Sequence, residues 1–599
     1  MTGTKRRPEA FSPATMMTTQ ASERRRRRPF PAVFLSEAEC AMTSPNDPAS
    51  TRRNKTFFHE VARLGCARVG IGFPMRSAIR FLSLAFVLLL TPGIALWVHR
   101  SEMTHLWWVV FATGMFTPPF LGLWYLVFGK APVKSRWKRL GVTLIAFALL
   151  GFLAGQAVRY EGSTSGSSFP KFAWTWSRQD DRPIRTPIET VTTTRLIDLT
   201  EAVAEFADFL GPERDGTFEK PTFGTDWQSS PPEPVWRRPI GKGWSGFTVS
   251  GNLAITQQQI GDDEHVSAFD LTTGADRWTH AAPQTRLLLE RAENGGAAMG
   301  GDGPRATPVL HAGRVYTMGA TGIIHCLDLA TGEEIWSRHL LRELGAVAQR
   351  WGMASSPLVL EREGLVVFSG PDRRGPSLIA CDLVTGETRW THEGSGGSYS
   401  SARLMEFGGV RQIVSIDYSA VCGIDPGTGK TLWSHGWPGT FPKVGQPIAV
   451  GGDRLLVTAS YGVGSLLLKI QKAADGSFAV ERLWKTTYLK TKFSSAAVIG
   501  DHAYGLDEGR LACIALADGK RVWKNEKFGF GQHLLFGSTL LVQAESGEVI
   551  VGALGPERFI ESGRLPALSS MTWNPPTVAG RLLLVRNDLE AAAYLLPAP

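Results

Sequence analysis

The chain has 599 residues, of which 43% are hydrophobic and 20% are charged. This composition is typical of globular proteins and excludes a wholly disordered or collagen-like chain, and the length is sufficient for a large buried core. Tryptophan is unusually frequent, with 19 Trp against 9 Tyr, which suggests that a repeated unit uses this residue.

The net charge of +9 is concentrated near the N-terminus. Residues 1–74 carry 13 basic and 6 acidic side chains, residues 75–159 carry 9 and 1, and the rest of the chain carries 42 and 48. The large C-terminal part is therefore mildly acidic and lacks the clustered positive charge that phosphate binding needs. We predict that it has no nucleic-acid partner.

Residues 1–74 are rich in Arg, Ser, Pro and Thr and show no sustained apolar period, so we predict a disordered basic tail. The run from Arg24 to Arg28 is interpreted as a solvated cytoplasmic segment, with contact to anionic lipid as the alternative. From Met75 the chain has two arginines and then an apolar run, the form of a bacterial signal anchor. A translation start at Met75, downstream of this tail, is therefore an open alternative.

Residues 75–159 are predicted to form three transmembrane helices. Each apolar run is close to the roughly 20 residues that a helix needs to cross a bilayer, and tryptophans lie near the run ends, as interfacial anchors do. The runs cover about 81–98, 106–128 and 140–158.

The charges between these runs predict the orientation of the chain. The segment 129–139 holds five basic residues and no acidic one, so it is predicted to be cytoplasmic, and everything after Arg159 to lie outside. We therefore expect an inner (cytoplasmic) membrane protein whose C-terminal domain is extracytoplasmic, in the periplasm of a Gram-negative bacterium. Residues 160–232 are predicted to be a linker and lead-in, with a short amphipathic helix over 199–210.

From residue 233 onward the chain repeats one phrase, and this repeat determines the predicted fold. In complete copies an Asp precedes a Gly by four residues, and the Gly precedes a Trp by four. The copies are Asp270, Gly274 and Trp278; Asp328, Gly332 and Trp336; Asp382, Gly386 and Trp390; and Asp425, Gly429 and Trp433; a weaker copy contains Gly519 and Trp523, and a degenerate one ends at Trp484.

The repeat has a simple physical interpretation. An alternating strand precedes the Asp, the Asp and Gly form a tight turn, and the Trp of the next strand fills the space between neighbouring sheets. The tryptophans that end successive repeat copies, from Trp236 to Trp523, are 39 to 58 residues apart, close to the length of a four-stranded propeller blade. We predict an all-β fold, an eight-bladed β-propeller over 233–599, whose last blade is completed by the strand 234–240.

The Asp-x-x-x-Gly-x-x-x-Trp turn and the Ala- and Cys-containing strand before it resemble the repeat of pyrroloquinoline quinone (PQQ) type propellers. The resemblance covers about residues 205–599, and residues 209–216 also resemble the lead-in of PQQ-like propellers from environmental bacteria. The family includes quinoprotein alcohol and glucose dehydrogenases and the non-enzymatic propeller lipoprotein of the outer-membrane β-barrel assembly machinery. The resemblance therefore implies the fold and leaves function open.

The dehydrogenases of this family hold PQQ over a Ca²⁺ ion, with a carboxylate base and often a disulfide between adjacent cysteines. This chain has no adjacent cysteine pair, and the turn aspartates are predicted to be structural, because a catalytic residue has no reason to recur in every blade. We predict no catalytic residue, no metal site and no cofactor. Four cysteines lie on the strands before turns of different blades and are predicted to be buried and apolar, namely Cys326, Cys381, Cys422 and Cys513.

The best candidate for a binding site is one mouth of the propeller channel, where a short loop precedes the first strand of each blade. Aromatic and cationic side chains converging there suit a flat anionic ligand or a peptide segment, although ordinary packing between blades is the simpler interpretation. The candidates are Trp244, Arg305, Trp351, Tyr399, Lys443, Lys492, His533 and Trp573.

These observations favour a membrane-anchored, non-enzymatic binding or scaffold module at the cell envelope, with an envelope protein as its partner. The alternative is a membrane-bound dehydrogenase that uses PQQ with Ca²⁺ to oxidise an alcohol or a sugar. A ligand sensor is a third hypothesis, which the absence of an evident output domain in the short basic tail disfavours.

Overall fold

The computed structural model describes residues 82, 84–86, 88–90, 92–97, 107–128, 132–164, 169–175, 191–192, 204–283, 285, 300–373, 375–439 and 442–599. The predicted tail 1–74 lies outside these residues.

Residues 233–599 form eight antiparallel sheets of four strands each, arranged as the blades of a propeller. The first strands of neighbouring blades contact one another around the central channel, whereas the fourth strands are partly exposed at the outside. The all-β, eight-bladed fold predicted from the repeat is confirmed.

The strands of the first four blades follow the chain from the channel outward. Blade 1 consists of Thr248–Ser250, Leu253–Ile260, Asp263–Asp270 and Asp276–Ala282; blade 2 of Val309–His311, Arg314–Met318, Ile323–Asp328 and Glu334–His339; blade 3 of Leu358–Leu360, Leu365–Ser369, Leu378–Asp382 and Thr388–His392; and blade 4 of Arg403–Phe407, Val410–Ile416, Ala420–Ile424 and Thr431–Gly436. A helical turn, Leu340–Glu343, follows blade 2, and a 3-10 turn, Glu361–Glu363, lies within blade 3.

The remaining blades continue in the same order around the channel. Blade 5 consists of Ile448–Val450, Arg454–Ala459, Gly464–Lys472 and Phe478–Thr486; blade 6 of Ala497–Ile499, His502–Asp507, Arg510–Ala515 and Arg521–Lys527; blade 7 of Gln532–Phe536, Thr539–Gln543, Val549–Leu554 and Phe559–Leu565; and blade 8 of Thr577–Ala579, Leu582–Arg586, Glu590–Leu595 and Glu233–Pro239.

Blade 8 closes the ring by combining the two ends of the domain, as predicted. Its outer strand, Glu233–Pro239, is the first strand of the propeller in the chain and pairs with the last, Glu590–Leu595, with Trp236 opposite Ala593. Two short strands extend the sheets: Val191–Thr192 pairs with Glu233–Pro239, and Thr217–Phe218 pairs in parallel with Gln532–Phe536. Closure therefore pairs both ends of the domain within one blade, while the outer strands of the other blades remain sheet edges.

The repeated Trp and Gly join consecutive blades at five of the eight joints. At each of these the indole packs on the turn Gly of the next blade, and its Nε1–H donates to a backbone carbonyl there. The donors and acceptors are Trp236 to Leu271 O (2.9 Å), Trp278 to Leu329 O (3.0 Å), Trp336 to Leu383 O (3.3 Å), Trp390 to Pro426 O (3.1 Å) and Trp484 to Leu516 O (2.8 Å).

Two helices before the propeller are described over their full length, Trp107–Phe128 and Val133–Ala157. The described residues between 82 and 97, within the first predicted run, are also helical. The helix Val133–Ala157 begins seven residues earlier than the predicted run 140–158, because its basic first turns, expected in a loop, are themselves good helix formers. Among the described residues, no helix is both long and apolar enough to cross a membrane, so the three predicted transmembrane helices are not confirmed.

Part of the predicted linker is structured. Val158–Thr164 pairs with Phe169–Trp174 in a hairpin. The helix predicted over 199–210 does not form in its described part, because Phe206 instead pairs with Val249 of blade 1 in a β-bridge and residues 208–212 form a turn.

Candidate functional site

A ring of hydrogen bonds surrounds the channel and connects every blade to the next. Most of the bonds come from residues just before the inner strands, where small polar side chains recur, and their partners lie on the neighbouring blade. The bonds are Gly246 N–H to Thr307 Oγ1 (3.0 Å), Thr307 N–H to Ser356 Oγ (3.0 Å), Ser356 N–H to Ser401 Oγ (2.9 Å), Ser400 Oγ–H to Gly445 O (2.9 Å), Gln446 N–H to Ser495 Oγ (3.0 Å), Gln532 Nε2–H to Phe493 O (2.8 Å) and to Trp573 O (3.0 Å), and Asn574 Nδ2–H to Ser245 O (2.8 Å).

Residues 204–218, which we call the plug, cross the channel and contact five blades. The backbone of Phe206 pairs with blade 1, Ala207 O accepts from Leu310 N–H of blade 2 (2.8 Å), and Gly216 O accepts from Leu535 N–H of blade 7 (2.7 Å). Two buried arginines hold the plug to blades 3 and 4. Arg214 donates to Pro357 O (2.8 Å) and Ser356 O (3.1 Å) and pairs with Asp208, and Arg403 of blade 4 pairs with Asp215 (3.0 Å).

A cavity of about 160 Å³ lies in the channel above the plug. Phe209 of the plug contributes to its lining, and seven of its sixteen lining residues are aromatic. The rings of Trp244 and Trp573 lie 4.8 Å apart, those of Phe493 and Trp573 lie 4.9 Å apart, and those of Trp351 and Tyr399 lie 5.8 Å apart between centroids.

Five of the eight residues proposed from the repeat register line this cavity. They are Trp244, Arg305, Trp351, Tyr399 and Trp573, which come from the loops before blades 1, 2, 3, 4 and 8. The structure therefore brings together side chains that are up to 329 residues apart in the chain. That a ligand or partner binds in this cavity stays a prediction.

The other three proposed residues are buried behind the wall. Lys443 points toward Tyr418 and Trp437, and Lys492 lies over Phe530, with 4.3 Å from Nζ to the ring centroid. His533 is 8% exposed, and burial lowers its pKa to about 4. In each case a neighbour lines the cavity instead, because successive residues of an extended chain point to opposite sides.

The sequence did not predict eleven of the sixteen lining residues, and five of these have the largest aromatic or amide side chains. Phe493 and Gln532 are the neighbours of Lys492 and His533, Gln446 follows Lys443 by three residues, and Tyr461 comes from a different loop of blade 5. Tyr461 has a left-handed backbone with φ of 57°, which the sequence gives no reason to expect. Phe209 belongs to the plug, and its position depends on tertiary contacts alone.

The cations near the cavity are held by protein groups. Arg305 donates to the carbonyls of Gly300 (2.8 Å), Gly301 (2.6 Å) and Gly303 (2.6 Å), and burial lowers its pKa to about 10. Burial likewise lowers the pKa of Lys492 to about 8, against the opposing effect of two nearby glutamates. Of the described residues that line the cavity, none is Asp or Glu.

The turn aspartates face their own turns rather than the cavity. Oδ1 of Asp270 accepts from the backbone N–H of Thr272 (3.1 Å) and Thr273 (2.9 Å). In the same way, Asp328, Asp382 and Asp425 each accept from the backbone N–H groups two and three residues later. These bonds hold the turn that brings the Gly under the preceding Trp.

The comparison with known families agrees with this architecture. Residues 233–525 match the family model described as outer membrane protein assembly factor BamB, which is a PQQ repeat model. This part of the chain matches the PQQ-like β-propeller family. No curated protein matches the chain.

Solved structures that are similar to this chain have low sequence identity to it. A europium-containing methanol dehydrogenase is 13% identical, with a TM-score of 0.47 over 65% of this chain and 90% of that one. BamB from Moraxella catarrhalis is 18% identical (TM-score 0.32; 59% and 85%), and quinohemoprotein alcohol dehydrogenase from Comamonas testosteroni is 12% identical (TM-score 0.48; 67% and 81%). Identities this low say nothing about activity.

The described lining of the PQQ-like propeller does not fit PQQ with Ca²⁺. Calcium takes six to eight oxygen ligands, usually with carboxylates among them, and the oxygens of this lining belong to tyrosine, serine, glutamine and the backbone. Its cysteines Cys326, Cys381, Cys422 and Cys513 are all buried, free and in different blades, so they form no adjacent pair beside the cavity.

Proposed function

We propose that this PQQ-like propeller is a non-enzymatic binding and scaffold module of the cell envelope, whose channel cavity receives an aromatic side chain of a partner protein. The observation that carries the proposal is the aromatic wall of the cavity, which the plug floors and in which no described lining residue is acidic. Such a site can hold a flat apolar group by stacking but offers no carboxylate to act as a general base.

The size of the cavity supports this occupant. A dry protein cavity of about 150 Å³ is large enough for benzene, and the channel cavity measures about 160 Å³. Gln446, Gln532 and Ser401 supply a few polar groups for the backbone of an inserted segment.

Photo-crosslinking in native membranes tests the partner. A photoreactive phenylalanine in place of Trp351 should crosslink a defined partner, and the crosslink should be lost when Trp573→Ala or Tyr461→Ala widens the cavity. The same photoreactive group in place of Val522, which is 47% exposed on the outer strand of blade 6, is the control and should not give that product. A crosslink at Val522 that equals the one at Trp351, or one that survives both cavity variants, would contradict a cavity site.

Titration of the full chain with PQQ and Ca²⁺ tests the alternative dehydrogenase. We expect no saturable change in the absorbance of the cofactor. Stoichiometric binding would replace the scaffold proposal with the enzymatic one, and a screen of alcohols and sugars with a dye acceptor would follow.

Anchoring in the cytoplasmic membrane, with the propeller on the extracytoplasmic side, is also part of the proposal. Two observations support it. The sequence has apolar runs of about 20 residues, and the helices Trp107–Phe128 and Val133–Ala157 expose apolar side chains. Among these are Phe116, Leu123, Ile145 and Phe152, which are 53% to 70% exposed. The orientation is tested in intact cells by labelling cysteines that are introduced one at a time into a chain without Cys40 and Cys66. The four propeller cysteines remain in this chain and are buried. An impermeant maleimide should label Ser477→Cys of the propeller but not Ser135→Cys of the basic segment; the reverse pattern would overturn this topology.

A further inference from the structure

Two histidines and a glutamate from two different blades converge near the outside of the propeller. His280 lies on the outer strand of blade 1, His325 on the third strand of blade 2, and Glu334 begins the outer strand of blade 2. Their nearest ligand atoms all lie within 4.8 Å of one another. No sequence motif links them, because 45 and 9 residues separate them along the chain.

Two distances within this cluster are longer than good hydrogen bonds and close to those between ligands of one metal ion, whereas the two histidine nitrogens, within 4.8 Å of each other, need a small ring rotation to share an ion. Glu334 Oε2 lies 3.4 Å from His280 Nε2 and 3.5 Å from His325 Nδ1. Bonds of about 2.0–2.1 Å that meet at the tetrahedral angle place neighbouring zinc ligands about 3.3 Å apart, whereas nitrogen and oxygen in a good hydrogen bond are roughly 2.9 Å apart.

The buried histidine supplies a second, independent observation. His325 is 6% exposed, and its Nδ1 is buried with no hydrogen-bond partner within the described structure. That atom points at the carboxylate of Glu334 and toward the ring of His280, whose centroid is 4.9 Å from its own. Three electronegative atoms that face one another in this way need either protons or a metal ion between them.

The surroundings hold the three side chains in place. Ser337 Oγ–H donates to Glu334 Oε1 (2.7 Å), which leaves Oε2 for the two histidines. The cluster is also adjacent to the joint between Trp278 and Gly332, since His280 and Glu334 each follow one member of that pair by two residues. Partners of this kind orient metal ligands in known sites.

We propose that His280, His325 and Glu334 bind a divalent transition-metal ion of the zinc class and thereby connect blade 1 to blade 2. Imidazole and carboxylate together suit Zn²⁺, and Co²⁺ or Ni²⁺ in its place. Glu334 is 41% exposed, so the fourth coordination position faces solvent and takes water. This inference is independent of the proposed function, because the site lies on the outer strands and not in the channel.

The test is titration of the full chain with Zn²⁺, and with Co²⁺ to report coordination by its visible absorption. The expected results are one bound ion that depends on the cluster, ligand-field bands of four- or five-coordinate Co²⁺, and a higher unfolding temperature with Zn²⁺. His280→Gln and Glu334→Gln should each weaken binding by more than the roughly 10- to 100-fold that loss of an outer-shell partner costs. Because Glu334 is partly exposed, Glu334→Gln is expected to fold even if a histidine variant does not.

The chain offers a matched control in blade 4. His435 follows Trp433 by two residues, as His280 follows Trp278, but its nearest charged neighbour is Arg482 rather than a histidine and a carboxylate. His435→Gln should bind Zn²⁺ like the original chain. Equal affinity in Glu334→Gln and His435→Gln, octahedral Co²⁺ bands, or no binding at micromolar Zn²⁺ would each overturn the proposal.

Discussion

The indole ring of Trp236 packs directly on Gly274, and this contact closes the propeller ring. Trp236 belongs to the first strand of the domain, which lies in blade 8, whereas Gly274 is in the turn of blade 1. Gly274 has φ of +68°, and a Cβ on it would lie 2.7 Å from Cδ2 of Trp236. Both the backbone conformation and the close approach therefore require glycine.

We expect Gly274→Ala to destabilise the propeller by about 2–4 kcal/mol, because overpacking adds to the strain of a left-handed backbone. Chemical unfolding of the full chain, followed by tryptophan fluorescence, measures this change. Gly251→Ala is the control, since Gly251 has φ of +54° but a Cβ there meets no atom within 4 Å. If the two variants lost equal stability, the ring contact would not contribute.

Glu264 should make stability depend on pH. Burial raises the pKa of this carboxyl from 4.5 to about 7, against the lowering effects of the Ala320 N–H and Arg305. Because the folded state holds the proton more tightly than the unfolded state, protonated Glu264 contributes to the free energy of unfolding. This contribution is complete below pH 4.5 and is lost as the pH rises through 7. The difference of the two pKa values corresponds to about 3 kcal/mol.

Glu264→Gln should therefore remove this loss of stability while it keeps the hydrogen bond from Ala320 N–H, which is 3.0 Å long in the original chain. The free energy of unfolding is measured for both chains at several pH values from 4 to 8. The difference between the two chains at each pH isolates Glu264, because the other titrating groups are the same in both. Parallel profiles would show that Glu264 is not responsible.

Arg214 should be essential for seating the plug. Its guanidinium is buried and joins Asp208 of the plug to two carbonyls of blade 3. Arg214→Met should cost about 3 kcal/mol, because it leaves the partly buried carboxyl of Asp208 and two carbonyls of blade 3 without their cation. It should also speed amide hydrogen exchange in residues 204–218.

Arg389→Met is the matched surface control for this prediction. Arg389 pairs with Asp382 at 2.8 Å, but its side chain is 54% exposed, and such pairs contribute little. Its removal should leave both stability and plug exchange nearly unchanged. If amide hydrogen exchange in the plug stayed slow in Arg214→Met, the remaining contacts with the blades would be sufficient to hold the plug in place.

The four propeller cysteines should be inert in the folded protein. Burial raises the pKa of each thiol to about 11, so that at pH 8 about one thousandth is thiolate. In a chain with Cys40→Ser and Cys66→Ser, a thiol reagent should react with none of Cys326, Cys381, Cys422 and Cys513 before unfolding and with all four in denaturant. Rapid reaction of any of them under native conditions would place it at an accessible surface.

The sequence by itself determined the propeller, because the Asp, Gly and Trp of each repeat are local to one turn and recur at blade spacing. The same regularity predicted the eighth blade from three strands left over at the C-terminal end of the domain and one at its N-terminal end, the strand that contains Trp236. It also located the channel mouth to within one residue, although period-two alternation put Lys492 and His533 behind the wall and Phe493 and Gln532 in it.

Only the tertiary structure decided the rest, since no local pattern encodes contacts between distant blades. The plug places Phe209 under the cavity through bonds to five blades, and these contacts favour a β-bridge at Phe206 and a turn over 208–212 instead of the predicted helix. In the same way His280, His325 and Glu334 form a cluster only because blades 1 and 2 pack side by side. Repeats specify a blade and its neighbours, whereas a site depends on which side chains face each other once the ring has closed.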